Sequence, residues 1–315
     1  MTTSATIAPL RNEVGLGLLL MVLSVLISPI IDIFAKLAVT SVPATEITFV
    51  RLLFQMTVLG PICLLRGTLL DVTVRKMGLH AARGLLMAIT MITFVTPLAV
   101  MEVADAIAIF FVEPIILTIL GSIFLKETIG WRRYTACGVG FLGSLLVIQP
   151  SLQEVGPIAL LPVVAAFSLA LFFLLTRLVA QKEDPWSMQF YAGLWGALFS
   201  GLLLLAGGRL GIAMLTPVVP DMANTLYIAG AAVAATIAGV LGVYAYRSAP
   251  ASTLAPLQYL EIVSATILGW FVFGHLPDAV KWLGIAIIIA SGLYVIWRER
   301  KLNKTATIPP VSTPI

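Results

Sequence analysis

The sequence predicts an all-α membrane protein of ten transmembrane helices, built as two inverted five-helix repeats with the N and C termini cytoplasmic. Three observations predict it: an apolar composition, basic residues confined to alternate breaks between apolar runs, and a half-chain repeat. The 315 residues are 60% hydrophobic and 11% charged, with a mean hydropathy of +1.05. A soluble domain carries about 25% charged residues, so this chain has too few charges to cover its apolar surface in water. In lipid the same composition is a requirement, because the outward surface faces hydrocarbon and each helix satisfies its own backbone.

A spanning helix needs about 20 mostly apolar residues. In order along the chain, the qualifying segments are 13–38, 45–65, 78–98, 104–125, 131–149, 156–180, 186–206, 222–246, 251–273 and 279–297. The first begins at Val14 and runs through Pro29 and Asp32. That is longer than a signal-peptide core of about 7–15 residues, so it is expected to be retained as a span. Turn-forming residues punctuate the breaks: Pro43, Gly130, Pro150, Pro185, Pro217, Pro220, Pro250 and Pro277. Residues 298–315 are basic, then rich in Thr and Pro, and are expected to form a disordered cytoplasmic tail. The chain therefore divides into 1–150, 151–297 and that tail.

Orientation follows from Lys and Arg. One set of breaks holds Arg66, Arg75 and Lys76; Lys126, Arg132 and Arg133; Lys182; Arg247; and Arg298, Arg300, Lys301 and Lys304. The alternate set has Arg209 and Lys281 as its bases and carries Glu102, Asp105, Glu154, Asp221 and Asp278. This alternation survives every step of a ten-span chain, and one missing span would scramble it.

Shifting residues 104–148 forward by about 148 positions lays Glu113 on Glu261 without a gap. Thr118-Ile119-Leu120-Gly121 then falls on Thr266-Ile267-Leu268-Gly269, and Arg133-Tyr134 on Lys281-Trp282. Five spans per half is an odd number, so the second half must lie inverted relative to the first. Inverted repeats place substrate sites near the bilayer midplane, where the halves meet.

Glu113 and Glu261 are the leading candidates for substrate or coupling-ion binding. Each lies mid-span, where an ionisable side chain costs about 2.5–3.5 kcal/mol on insertion scales and so belongs in the bundle interior or a wet cavity. A carboxyl group in such a place can carry a proton; the competing expectation is a hydrogen bond that only ties helices together. Gln258 and Tyr259 precede Glu261 and add hydrogen-bonding capacity. A second group comprises Asp32, Lys36, Glu46, Arg51 and Gln55. Asp32 and Lys36 are four apart and can pair on one helix, and Arg51 and Gln55 share a face of the next. Asp32, Lys36 and Glu46 are candidates for a gate or ion-pair network, with helix-end snorkelling as the alternative. Arg51 and Gln55 are candidates for substrate contact. In the seventh span Trp186, Phe190, Tyr191 and Trp195 could line a cavity for a flat substrate, or anchor the helix at the interface. Gly138, Gly140, Gly143, Ala231, Ala235, Gly239, Ala286 and Ala290 mark expected close helix contacts.

Several classes are set aside. Cys63 and Cys137 sit in apolar runs without metal-ligand spacing, and His80 and His275 are isolated, so no metal site is expected. No basic tract interleaved with aromatics points to nucleic acid. No HExxH, GxSxG or P-loop pattern occurs, so neither an intramembrane enzyme nor an ATP-driven pump is indicated, and no cofactor is implied. The expected partners are the lipid bilayer and a small-molecule substrate, with a homodimer as a candidate assembly.

Phe124-Leu125-Lys126-Glu127, then Trp131-Arg132-Arg133 and a Gly-rich fifth span, resemble the junction of helices four and five in the EamA branch of the drug/metabolite transporter superfamily. The second half departs from that pattern, with Gly274-His275 where the family usually has Gly-Glu. Asp32-x-x-x-Lys36, Pro43-x-x-Glu46-Ile47 and Arg51 are similar to the subgroup containing bacterial importers of riboflavin and S-adenosylmethionine. The resemblance implies a multi-pass secondary transporter of the cell inner membrane moving a small organic metabolite by alternating access. Riboflavin-like uptake is the specific expectation. Export of amino acids or related metabolites, with proton coupling, is the alternative.

Overall fold

The structure is a computed structural model that describes residues 13–68, 74–124, 131–179, 183–212, 215–248, 257, 260–274 and 276–306. Those residues are overwhelmingly helical. The helices are α1 (Glu13–Val39), α2 (Ala44–Leu65), α3 (Val74–Val95), α4 (Val103–Phe110), α5 (Glu113–Phe124), α6 (Trp131–Val155), α7 (Leu161–Val179), α8 (Pro185–Leu210), α9 (Met222–Ser248), α10 (Leu260–Phe273) and α11 (Ala279–Ala306). Short 3₁₀ turns at Thr96–Ala99 and Gly156–Leu160 extend α3 and lead into α7. Among the described residues, seven helical stretches are long and apolar enough to cross a membrane, one of them running from Gly138 to Thr176. Two shorter apolar helices, Leu260–Phe273 and Ala279–Ser291, follow.

Local chemistry sets the boundaries. Pro43 precedes α2 in an extended conformation, with φ −56° and ψ 137°. Asp184 caps α8 by accepting from the backbone N–H groups of Trp186 and Ser187, and Pro185 supplies the fixed φ of the first helical position. Gly211 ends α8 at φ 66°, a left-handed conformation costly for a residue with a Cβ.

Two expectations need correction. The fourth apolar run is two helices, α4 and α5, separated by a turn at Phe111 and Val112. The C-terminal helix does not stop at 297; α11 continues to Ala306, because residues 298–304 are mostly good helix formers. The start of the ninth expected span lies outside the described residues.

The packing follows the repeat. With α1 matched to α7, α2 to α8, α3 to α9, α4–α5 to α10 and α6 to α11, exchanging the halves should exchange contacts. It does: α1 packs on α9 as α3 packs on α7, while α2 with α8, α6 with α11 and α4 with α10 pair across the exchange. Small residues bring two crossings, α6 with α11 and α3 with α8, to backbone contact. A Cβ on Gly284 would lie 2.7 Å from the Gly143 carbonyl oxygen, and one on Gly196 would lie 2.7 Å from Leu52 Cδ1 and 3.1 Å from the Gly84 carbonyl oxygen. Gly143 thus packs as expected, whereas Gly138, Ala286 and Ala290 are exposed. The largest buried cluster gathers Ile47, Leu98, Ile107, Ile109, Ile262 and Ile285 where α2, α4, α10 and α11 converge.

Candidate functional site

The break between α4 and α5 begins the site. Apolar sequence would continue a single helix, but Pro114 has no N–H to give to the preceding turn. α4 stops at Phe110, and the next helix restarts through Ile115 N and Ile116 N donating to the Val112 carbonyl, both at 3.1 Å. Glu113 therefore occupies the first turn of α5, and Glu261 the first turn of α10. A helix N-terminus favours a negative group, so both repeats set a carboxylate where the local dipole supports it. Both residues are half-buried.

Glu261, Asp32 and Arg51 form a charged centre drawn from α10, α1 and α2. The Asp32 carboxyl group lies within electrostatic reach of Arg51 and also of Glu261. Arg51 Nε is buried and makes no hydrogen bond among the described residues. Lys36, one turn beyond Asp32, turns away from this centre. Its Nζ donates to the Met101 carbonyl at 2.8 Å, pairs with Glu102 at 3.3 Å and lies 4.6 Å from the centre of the Phe273 ring. Glu46 accepts from the Val218 N–H at 3.0 Å. The expected network of Asp32, Lys36 and Glu46 thus divides: Asp32 joins Arg51 at the centre, while Lys36 and Glu46 tie the end of the bundle that carries the acidic loops.

One turn from Arg51, Gln55 reaches a cleft bounded by α2, α8 and α9. Gln55, Leu59, Trp186, Gln189, Ala235, Thr236, Gly239 and Val240 line this half-open cleft. Gln55 Nε2 donates to the Gln189 carbonyl at 3.1 Å, which fixes its amide at the cleft wall. Of the four aromatic residues expected at a cavity, Trp186 lines this cleft. Phe190 lies against Gly60, Tyr191 stacks on His80 at 4.8 Å between ring centres, and Trp195 donates its indole N–H to Met77 Sδ at 3.2 Å. Gln258, Tyr259 and His275 lie outside the described residues.

Two polar clusters were not anticipated. Near the acidic end, Lys281 Nζ sits 2.9 Å from Asp105 Oδ2 and 2.8 Å from Glu154 Oε2, with Lys281 and Asp105 both buried. Near the basic end, the Glu183-Asp184 segment before α8 meets bases from the first half. Arg66 pairs with Asp184 at 3.6 Å, and Lys76 and His80 meet Glu183 at 4.0 and 2.9 Å. Beside them Arg83, fully buried, donates to Thr176 Oγ1 at 3.0 Å and the Met188 carbonyl at 3.2 Å, with its guanidinium 4.8 Å from the centre of the Phe172 ring. A charge inside an apolar run was the available signal for Arg83.

These features meet known proteins over nearly the whole chain. An S-adenosylmethionine uptake transporter of Rickettsia bellii is 31% identical over 289 residues, covering 92% of this chain and 95% of its own. A riboflavin transporter of Vibrio cholerae is 27% identical over 269 residues, covering 84% and 87%. A crystal structure with a TM-score of 0.61 and 16% identity, covering 91% of this chain and 98% of that one, shares the fold. The sequence profile of the EamA-like transporter family matches twice, at residues 15–149 and 156–297, once for each repeat. With its two helical repeats meeting at a half-buried charged centre, this multi-pass membrane chain belongs to the EamA-like transporter family.

Proposed function

We propose that this chain is a ten-span secondary transporter of the inner membrane, with both termini cytoplasmic, that takes up an amino-acid-bearing sulfonium metabolite of the S-adenosylmethionine kind by alternating access. The observation that carries the substrate class is the charge balance of the centre. Asp32 and Glu261 set two carboxyl groups against the single guanidinium of Arg51. A cation beside each carboxyl would favour its ionised form, and the centre would then carry one negative charge in excess. A sulfonium amino acid brings a carboxylate for Arg51, an ammonium and a sulfonium for the two acids, and one positive charge in excess. Arg is suited to the carboxylate because its planar fork can hold both oxygens. The name of the 31% identical relative supports the same class.

In this reading the cleft beside Gln55 faces the cytoplasm, since α2 runs from Glu46 toward Arg66 and α9 toward Arg247. The Lys36–Glu102 and Lys281–Asp105–Glu154 contacts hold the opposite end together. Rocking the two halves would release those contacts and close the cleft. Glu113 and Glu261 are then the candidates for a coupling proton.

Riboflavin-like uptake is the second reading, favoured by the riboflavin transporter relative. Riboflavin is uncharged and leaves the excess charge of the centre unmatched. Reconstituted protein should accumulate labelled S-adenosylmethionine in a saturable way and exchange it in counter-flow. Uptake of riboflavin without S-adenosylmethionine would replace the first reading with the second, and amino-acid efflux alone would overturn both. A flux that ignores a pH gradient and is unchanged in Glu261→Gln would remove proton coupling.

A further inference from the structure

The cleft beside Gln55 is chemically unlike the centre one turn away. Every residue lining it is uncharged: Gln55, Gln189 and Thr236 are polar, Trp186 is aromatic, and Leu59, Ala235, Gly239 and Val240 are apolar or small. We infer that this cleft is the recognition subsite for a planar nitrogen heterocycle, the adenine of an adenosyl substrate whose charged head occupies the Asp32–Arg51–Glu261 centre. The inference rests on the proposed uptake function and adds to it which residues read the neutral part of the substrate.

Position comes first. The cleft lies between the repeats, with α2 from the first half and α8 and α9 from the second. Gln55 follows Arg51 by one helical turn, about 5–6 Å along the axis, so a single extended molecule can touch both.

The donors and acceptors match the edge of a base. A glutamine amide can pair with adenine in two places at once, accepting from the exocyclic amine and donating to a ring nitrogen. Gln55 gives one N–H to the Gln189 carbonyl, which orients its amide, and Gln189 brings a second carboxamide to the same wall. Thr236 donates its hydroxyl hydrogen to the Ala232 carbonyl at 2.9 Å, so its oxygen remains an acceptor. Trp186 gives a flat surface on which a ring can stack. Tyr244 meets that indole edge-on at 6.0 Å and 70°, and Leu59 and Cys63 pack in the same cluster.

Gly239 keeps the space open. A Cβ placed there meets nothing within 4 Å, and its backbone is ordinary helix. A larger side chain at this wall would fill the cleft without straining α9, which makes the site testable in a folded protein. Gly239→Ala, the conservative partner, removes little volume and favours the helix.

The test uses the full-length protein in proteoliposomes with labelled S-adenosylmethionine, and two competitors that divide the substrate: adenosine, the base without the charged head, and methionine, the head without the base. Calorimetry of adenosine and of lumichrome, a bare flavin ring, on the same protein gives binding independent of transport. Adenosine should bind the wild type and inhibit its uptake. Gly239→Leu should raise the adenosine concentration needed for half-inhibition at least tenfold, change that for methionine less than twofold, and unfold at the same temperature as the wild type. Gly239→Ala should shift adenosine less than threefold. If the wild type carries no S-adenosylmethionine, the uptake reading falls, and calorimetry alone decides the cleft. Binding of adenosine or of lumichrome that is lost in Gly239→Leu supports a heterocycle subsite, and the ring that binds names its source. Failure of both rings to bind the wild type, or binding unchanged in Gly239→Leu, overturns the subsite.

Discussion

At the scale of single residues, Asp32 stands between a base and another acid. Arg51 attracts it while Glu261 repels it, so a charge entering the centre would act directly on Asp32. A bound ammonium or sulfonium would relieve the repulsion, which makes the centre more favourable occupied than empty. In the proposed binding mode Arg51→Gln removes the partner of the substrate carboxylate, and a charge-assisted hydrogen bond contributes about 1.5–3 kcal/mol. Half-saturation for uptake should therefore rise by about tenfold to a hundredfold, as measured by initial rates against substrate concentration. An unchanged half-saturation would remove Arg51 from the site. Glu261 was legible in the sequence because a carboxyl group stands out in an apolar run. Lys36 was legible as a charge but not as a contact, since its partner Glu102 lies 66 residues away and only the folded topology brings it near.

At the scale of elements, what matters is how close two backbones come. The sequence marks glycines without saying which ones face a neighbour. Gly138 and Gly284 illustrate the difference: a Cβ at the first meets open space, and one at the second meets the Gly143 carbonyl oxygen at 2.7 Å. Gly284→Ala should cost about 1–3 kcal/mol by overpacking the α6–α11 crossing, seen as a lower unfolding temperature in detergent. Gly138→Ala should be neutral or stabilise by up to about 1 kcal/mol through helix propensity. Equal behaviour of the two variants would contradict the packing described. The break at Phe111 and Val112 was harder to foresee, because hydrophobic periodicity runs straight through it and Pro114 alone signals a change. Proline in a membrane helix can bend it as well as break it.

At the scale of the whole molecule, the acidic end of the bundle is held by contacts of unequal strength. Lys281 and Asp105 are both buried, while the Lys36–Glu102 pair is 14% and 37% exposed at its side chains. Removing one partner of a buried pair costs about 3–5 kcal/mol, whereas a more exposed pair contributes about 1 kcal/mol or less. Lys281→Met should therefore lower stability markedly, and adding Asp105→Asn should restore much of it. Lys36→Met should leave the unfolding temperature nearly unchanged and let a membrane-impermeant thiol reagent reach a cysteine placed at Gln55 from the acidic end. No gain in labelling would count against a gating role for Lys36. The repeat and the alternation of loop charges were readable in the chain because both are long-range patterns. The pairing of Lys281 with Asp105 and Glu154 was not, because all three lie in segments that read as loop or helix end.

The buried Arg83 also bears on how the protein is made. Its hydrogen-bond partners Thr176 and Met188 follow it by 93 and 105 residues. At about 5–20 residues per second of synthesis, α3 leaves the ribosome roughly 5–20 s before α7 and α8 exist. During that interval the arginine would stand in lipid at a cost of about 2.5–3.5 kcal/mol. A chain stopped after α6 should therefore insert α3 poorly in a glycosylation-mapping assay, and Arg83→Leu should insert it fully. Normal insertion of α3 in the shortened wild-type chain would contradict this. On this expectation the third helix settles in the membrane only once the second half of the protein has been made.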